Sequence, residues 1–129
     1  PPCNCGHFGC LETYVRIPAL LTGTGYDSWE ALAADEDRPV AGEVIDRAAE
    51  YLTAGLVNAV NFYDLEQVIL SGDVATRPEP LLRRLNPLLS ERVINRVHTR
   101  LRDVVAGCGT TSVRTGAMAA LYDVFQDRV

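Results

Sequence analysis

Three of the four cysteines in this 129-residue chain fall within eight positions, in the run CNCGHFGCLE near its start. They are Cys3, Cys5 and Cys10, in the spacing C-x-C-x4-C. Gly6 and Gly9 lie between them and allow the backbone to turn, so that three sulfur atoms can point at one centre. Because thiolates are good zinc ligands, the pattern predicts a structural zinc site of tetrahedral geometry.

A closed structural zinc site needs a fourth donor besides the three cysteines. His7 is the nearest candidate in the sequence, although it follows Cys5 so closely that its imidazole need not reach the centre. Two other interpretations stay open. The cysteines can be metal-free, either buried or as a redox pair, and an open fourth position would permit catalytic zinc with Glu12 as the nearby base.

Two short helices are expected after the cysteine loop. Leu11, Val15 and Ala19 share one helical face, which predicts a helix over residues 10–21 despite Pro18.

The second short helix begins with what resembles a capping box, with Asp27 as N-cap and Glu30 three residues later, and continues to Ala34. Trp29 lies in this polar helix start, where we expect it to cover the edge of the core.

The longest predicted helix extends from Val40 to about Tyr63, because apolar residues recur there with a period of 3.6 residues over six turns. Small side chains along it would let a neighbouring element approach closely. These small residues are Ala48, Ala49, Ala54, Gly55 and Ala59.

A buried strand is predicted within residues 67–73, where a short apolar run is stopped by Gly72, and both of its faces are expected to be covered. Residues 102–107 predict a second, less apolar strand. Between the two strands, a helix should start near Pro80 and extend through Leu89, with Pro87 kinking or splitting it. A final helix is predicted over residues 116–125.

These elements predict a helix-rich α/β fold and one partial domain over residues 1–129. Within it, residues 1–12 form the zinc-binding loop and residues 13–129 a helical lobe. The strands are too few for a complete sheet, and the cysteine loop has no element before it. We therefore expect the chain to be part of a longer protein.

Composition restricts the partners. The net charge is −5 and the sequence pI is about 4.9, so these residues are not expected to contact nucleic acid directly. No apolar run approaches the roughly 20 residues that span a bilayer, and no signal-peptide pattern is present, so no membrane contact is expected. The expectation is a cytoplasmic protein, in which clustered cysteines are more often metal ligands than disulfides.

The run CNCGHFGCLE resembles the zinc-loop signature CxCGxxGCxE of the ROK family, which groups bacterial repressors, open reading frames and sugar kinases. The run VNFYDLEQVILSG, which ends at Gly72, is similar to that family's long helix and nucleotide-side strand. TGAMAAL, at residues 115–121, is similar to its closing helix. The resemblance implies the carboxy-terminal part of an actin-like (ribonuclease H-like) ATPase-type fold, with an incomplete sheet in this segment.

The resemblance also implies roles for the loop residues. Cys3, Cys5 and Cys10 would bind structural zinc together with a histidine upstream of the first cysteine, which this chain does not contain. His7 occupies a variable position of the signature and would then be a bystander, unless it substitutes. Glu12 would bind sugar hydroxyls, since a carboxylate can accept two charge-assisted hydrogen bonds from neighbouring hydroxyls. A first-turn glutamate can also simply compensate the helix dipole.

Kinases of this family carry a DxGxT phosphate loop and a catalytic aspartate in their amino-terminal half, and this chain has neither, so it is not expected to phosphorylate a sugar alone. Ser71, Gly72 and Asp73 form a possible nucleotide-side loop, in which Ser71 replaces the first glycine of the kinase pattern. ATP and Mg²⁺ are expected only if the parent is a kinase. The run GCLET is common in the family's repressors.

We therefore expect the sugar-sensing and dimerisation portion of a ROK-type transcriptional regulator, with a DNA-binding winged helix upstream of this segment. Its partners would be a sugar or sugar derivative and a second copy of the protein. One alternative is the carboxy-terminal part of an ATP-dependent sugar kinase similar to glucokinase. Another is a ligand-free, zinc-stapled dimerisation module, because an incomplete sheet leaves an edge that another copy can cover.

Other polar residues predict less. Cys108 has no cysteine beside it and is expected to be buried or in a turn, and His98 is expected to be solvated. Asn58 and Asn61, on the long predicted helix, can satisfy backbone or buried groups as readily as contact a ligand.

Overall fold

The computed structural model describes residues 1–63, 65 and 67–94, together with the backbone of residues 105–106. This part of the chain is helix-rich, with a small parallel sheet. Its helices are α1 (Glu12–Val15), α2 (Ile17–Leu21), α3 (Trp29–Ala34), α4 (Pro39–Tyr63) and α5 (Glu79–Arg92), and its strands are β1 (Ile69–Leu70) and β2 (Val105–Ala106). A 3-10 turn covers Asp73–Thr76.

The core lies between α4 and α5, with α3 against them. The predicted long helix is confirmed as α4, and three of its alanines, Ala41, Ala48 and Ala49, are fully buried in the core. On α5, leucines recur every four residues and form one buried face. The largest fully buried side chains of the described residues are Leu20, Trp29, Leu32, Ile45, Thr53, Val60, Leu81, Leu85 and Leu89.

The single helix predicted over residues 10–21 is wrong. The structure has two short helices, α1 and α2, separated at Arg16, whose backbone is extended with φ −63° and ψ 140°. Pro18 explains the break, because inside a continuous helix it would lack a hydrogen bond and clash with the preceding turn. In the first turn of α2 that missing donor costs nothing.

The start of α3 also differs from the prediction. Ser28, not Asp27, is the N-cap, and its side chain accepts a hydrogen bond from the Ala31 amide at 3.2 Å. Trp29 does not cover the core edge but is 1% exposed, and its indole Nε1 donates to the Arg77 carbonyl oxygen at 3.1 Å. The apolar ring is thereby buried with its one polar atom satisfied.

The two strands pair in parallel, with Ile69 opposite Val105 and Leu70 opposite Ala106. The parallel pairing is that of the predicted α/β unit, and β2 lies within the second predicted strand. Leu70 packs against the core, but Ile69 is 60% exposed, so the prediction of a strand buried on both faces is wrong for the described residues. The described elements cover only one face of this sheet.

Pro87 does not split α5, which is one continuous helix. The predicted helix over residues 116–125, as well as His98 and Cys108, lies outside the described residues. No helix within the described ranges is long and apolar enough to cross a bilayer.

Ion pairs join α4, α5 and the turn before α4 on the outer side of the core. Arg84 pairs with Glu36 at 3.1 Å and with Asp46, and Arg83 also pairs with Glu36. A hydrogen bond from Arg83 is the main cause that holds the pKa of the Glu36 carboxyl below its usual range, and a hydrogen bond from Arg84 is the next largest. These contacts fix the loop after α3 against α5.

Replacing Glu36 with glutamine should therefore lower stability in a pH-dependent way. Since the pKa of Glu36 is depressed in the folded state, its stabilisation is present above the unfolded pKa and is lost as pH falls through the folded value. We expect Glu36→Gln to unfold at a lower temperature than the parent at pH 7, with the gap closing below about pH 4. Thermal unfolding followed by circular dichroism measures this, with exposed Glu43→Gln as the matched control. An equal gap at both pH values would contradict the assignment.

Candidate functional site

The cysteine loop is a small hairpin that precedes α1. Pro2 and Phe8 form an antiparallel bridge, and the Cys3 amide donates to the His7 carbonyl oxygen at 2.8 Å. The turn needs the two glycines that separate the cysteines, because their φ angles are +88° and +74°, in the left-handed region that favours glycine. The sequence motif thus specifies the loop's backbone as well as its donors.

The three predicted sulfur donors converge as expected. The Sγ atoms of Cys3, Cys5 and Cys10 lie within 4.8 Å of one another, and those of Cys5 and Cys10 are 3.5 Å apart. Zinc with sulfur ligands at about 2.3 Å in a tetrahedral site places sulfurs about 3.8 Å apart. The donor set and its spacing therefore fit a zinc ion, and the three cysteines could hold one.

The surroundings shift the pKa values of two thiols in opposite directions. A backbone hydrogen bond from His7, followed by hydrogen bonds from Cys3 and Cys10, lowers the pKa of the Cys5 thiol. Hydrogen bonds to Cys5 and Cys3 raise the pKa of the Cys10 thiol. A bound divalent ion would require the thiolate forms of these cysteines.

His7 does not join the sulfur cluster. Its side chain is exposed, and within the described residues no histidine or carboxylate places a donor atom with the three sulfurs. The geometry accordingly favours the interpretation of His7 as a bystander. A fourth donor to the ion would come from a group other than the described histidine, cysteine and carboxylate side chains.

Hydrogen bonds connect the loop to α1. The Cys10 carbonyl oxygen accepts from the Thr13 amide at 2.9 Å and from Thr13 Oγ1 at 2.7 Å, and Thr13 is buried. Glu12 lies between these two residues in the first turn of α1, with its side chain exposed. Cys10, the last cysteine of the loop, thus fixes the start of the helix that carries Glu12, the residue predicted to bind sugar hydroxyls.

The start of α1 is also docked on α4. A Cβ atom added at Gly55 would lie 2.6 Å from Leu11 Cδ2, so only glycine permits this approach without a shift of Leu11. One turn further along, the rings of Tyr14 and Tyr51 are in contact, with centroids 4.6 Å apart. The predicted close approach to the small residues of the long helix is confirmed at Gly55.

We expect Gly55→Leu to displace the Leu11 side chain and to weaken the docking of α1 by about 1 kcal/mol, since the atoms in the way are the flexible end of a part-exposed leucine. Leucine in place of a glycine inside α4 favours the helix by roughly 0.8 kcal/mol, so the contact has to be measured against a Leu11→Ala background. The double variant Gly55→Leu with Leu11→Ala should recover most of that loss. Ala54→Leu, at an exposed position of the same helix, is the control for side-chain size. Urea unfolding measures these variants together with Leu11→Ala, and an effect of Gly55→Leu that is the same with and without Leu11→Ala would contradict this packing.

The predicted nucleotide-side loop borders a pocket that does not include Glu12. Ser71 and Asp73 border a pocket of about 240 Å³ that is otherwise mainly apolar and also includes Val15 and Arg16 from the junction of α1 and α2. Glu12 is not among the residues that line it. The structure thus brings the loop at Ser71 and Asp73 next to the end of α1. Within the described residues, however, this loop and Glu12 do not line one common pocket.

Sequence reasoning missed two positioning contacts. In the sequence, Thr13 stands out only as part of the run GCLET, which resembles the family's repressors. In the structure, its hydroxyl donates a hydrogen bond to the Cys10 carbonyl oxygen. The Tyr14–Tyr51 pair carries no signal in a single sequence, because its residues are 37 positions apart and each is an ordinary helix-surface aromatic.

Comparison with known proteins defines the class of this chain. The ROK family model matches residues 1–123. Since that match covers nearly the whole sequence, the chain belongs to the ROK family.

Individual relatives include both regulators and an enzyme. The chain is 25% identical over 115 residues to the N-acetylglucosamine repressor of Escherichia coli, covering 77% of this chain and 28% of that protein. It is 29% identical over 110 residues to a xylose repressor of Caldicellulosiruptor bescii, with 70% and 28% covered. It is 26% identical over 117 residues to a glucokinase of Halalkalibacterium halodurans, with 74% and 36% covered.

A solved structure shares the fold. The crystal structure of a ROK family transcriptional regulator, described as a homolog of the Escherichia coli MLC protein, matches with a TM-score of 0.66 at 23% identity. The match covers 82% of this chain and 31% of that one. The chain therefore spans about a third or less of the length of the relatives it matches.

Proposed function

We propose that this chain is the sugar-sensing portion of a ROK-type transcriptional regulator. In this proposal, Cys3, Cys5 and Cys10 hold a structural zinc ion and Glu12 contacts a sugar or sugar derivative. The observation that carries the proposal is the convergence of three sulfur atoms immediately before the helix that begins with Glu12. Two of the relatives named above are sugar repressors, which supports the regulator assignment.

Zinc would supply a rigid link between residues that are otherwise held only by backbone hydrogen bonds. The chain's own residues do the rest of the positioning. The Cys10 carbonyl holds the first turn of α1 through Thr13, and Leu11 seats that turn on Gly55. Glu12 is then left exposed on a fixed helix start, where its carboxylate can accept hydrogen bonds from two neighbouring hydroxyls.

For the whole protein, we propose that this segment completes an actin-like fold as its carboxy-terminal part. Within it, residues 1–12 are the zinc-binding loop and residues 13–129 the helical lobe. Sugar would bind one arrangement of the protein more tightly than another, and a DNA-binding winged helix outside this segment would respond to that shift in population. Self-association of the protein belongs to the same proposal.

Calorimetric titration of the intact protein with N-acetylglucosamine, xylose and glucose tests sugar recognition, and a DNA-release assay with the same sugars tests regulation. We expect one of these sugars to bind and to weaken DNA binding. Sugar-independent DNA binding together with no heat of binding for any of the three would contradict the proposal. It would favour the remaining alternative, a ligand-free zinc-stapled dimerisation module.

A sugar kinase is the second candidate function. It is favoured by the similarity to a glucokinase and by the pocket beside Ser71 and Asp73, at the loop where ATP and Mg²⁺ would be needed. Ser71 stands where the kinase pattern has a glycine, and its side chain leaves less room for a nucleotide beside that backbone. Formation of sugar phosphate from ATP by the intact protein would establish this alternative.

A further inference from the structure

We propose that Cys5 and Cys10 form a site of reversible oxidation, at which a disulfide between them and a bound metal ion exclude each other. The inference deepens the proposed function, since it rests on the same three cysteines. It gives Cys5 and Cys10 a disulfide state in addition to the metal-bound state.

The short distance between the two sulfur atoms supports this pair. The sulfur atoms of Cys5 and Cys10 are 3.5 Å apart, so they must approach by about 1.5 Å to reach a disulfide bond length. The segment that has to adjust is residues 6–9, which begins and ends with a glycine of positive φ and has no buried side chain. Closing the bond therefore moves a short, exposed turn together with Cys10 at its end, and leaves the packed core between α4 and α5 in place.

Access favours Cys5 as the residue that is attacked first. Its side chain is exposed, whereas Cys3 and Cys10 are half-buried. A small-molecule disulfide can thus reach Cys5 without any opening of the structure. Cys10, whose sulfur atom lies 3.5 Å from that of Cys5, can then complete the exchange.

The chemistry balances as two thiol–disulfide exchanges with a small-molecule disulfide as oxidant. The Cys5 thiolate attacks that disulfide, forming a mixed disulfide and releasing one thiolate, which takes up a proton. The Cys10 thiolate next attacks the Cys5 sulfur and releases the second small thiol. Two protein thiols are oxidised, one small disulfide is reduced to two thiols, and a metal ion that used both sulfurs loses two of its three protein donors.

The consequence extends to α1. Cys10 is the residue whose carbonyl oxygen accepts both hydrogen bonds from Thr13, so a change in its position acts on the first turn of the helix that carries Glu12. Oxidation would then lower affinity for a sugar that Glu12 contacts, and reduction followed by zinc would restore it.

The test uses the intact protein in a Cys108→Ser background, stripped of metal by a chelator and treated with oxidised glutathione. We expect loss of two hydrogens by mass spectrometry, and peptide mapping should find residues 5 and 10 joined. Cys3→Ser should form the same disulfide. Cys10→Ser should instead accumulate a glutathione adduct on Cys5. Prior loading with zinc should slow the reaction at least tenfold.

Some outcomes would overturn the inference while leaving the metal assignment intact. A stable adduct on Cys5 in the parent, or a disulfide that involves Cys3 in most molecules, would do so while zinc still binds. Conversely, formation of the 5–10 disulfide in a protein that binds no zinc would retain the oxidation site and refute the metal role. The two failures are therefore distinguishable in one set of samples.

Discussion

Replacing Cys10 with serine should reduce bound zinc from about one ion per chain to less than a tenth of that amount. The serine hydroxyl is a poor zinc ligand, and loss of one of three thiolates leaves too few donors for a stable site. Zinc binding by small metal sites contributes directly to folding, so the loop before α1 should also become less ordered. Elemental analysis of the purified intact protein measures the first effect, and hydrogen exchange at residues 1–15 measures the second.

The chain provides two matched controls for this experiment. Cys108→Ser removes the fourth cysteine, which the metal proposal does not use, and should leave the zinc content unchanged. His7→Ala should also leave it unchanged, because the imidazole is exposed and its nitrogens lie outside the sulfur cluster. Loss of zinc in His7→Ala would show that this histidine substitutes for the upstream ligand of the family signature. Equal zinc in Cys10→Ser and the parent would contradict the site.

Replacing Glu12 with glutamine should weaken sugar binding by about 10- to 100-fold. Glutamine keeps the length and most of the shape but loses the charge, and a hydrogen bond to a charged group contributes roughly twice as much as a neutral one. The zinc content should not change, because Glu12 offers no atom to the sulfur cluster. Calorimetric titration of the intact protein with the sugar that the parent binds gives the ratio of dissociation constants.

Glu30→Gln is the matched control for Glu12→Gln. Both residues are exposed carboxylates in the first turn of a short helix, so both have the same interaction with a helix dipole. Only Glu12 follows the cysteine loop. A similar loss in both variants would point to a general effect of charge, and unchanged affinity in Glu12→Gln would remove the proposed sugar contact.

The sequence predicted best those features that depend on one short segment. The cysteine loop is specified by residues within eight positions, and its glycines adopt the positive φ angles that such a turn requires. The long helix could also be predicted closely, because its apolar period is sustained from Val40 to Tyr63 and no proline interrupts it. In both cases local chemistry alone is sufficient.

Predictions failed where neighbouring residues compete or where distant elements meet. Pro18 allows helix in the first turn of α2 but not a helix continuous with α1, and the choice between these was not evident from the apolar period. Asp27 and Ser28 can each serve as an N-cap, and the burial of Trp29 accompanies the start of α3 at Ser28. The burial of Trp29 itself depends on Arg77, 48 residues away, which no local pattern reveals.

The placement of Glu12 depends on both kinds of information. Its neighbour Cys10 is local, and so is the hydrogen bond through Thr13. The seat of Leu11 on Gly55 joins residues 44 positions apart and could be anticipated only as an unspecified close approach to a row of small residues. The sequence thus indicated what Glu12 could do, whereas the structure shows what holds the helix that carries it.

X-ray absorption at the zinc edge, on the intact protein purified without a chelator, tests the central claim most directly. The sulfur positions predict one zinc ion per chain with three sulfur ligands at about 2.3 Å and one lighter ligand. The account would be contradicted if the protein contained no zinc after purification in buffers that contain zinc. It would also be contradicted if the bound zinc had fewer than three sulfur neighbours.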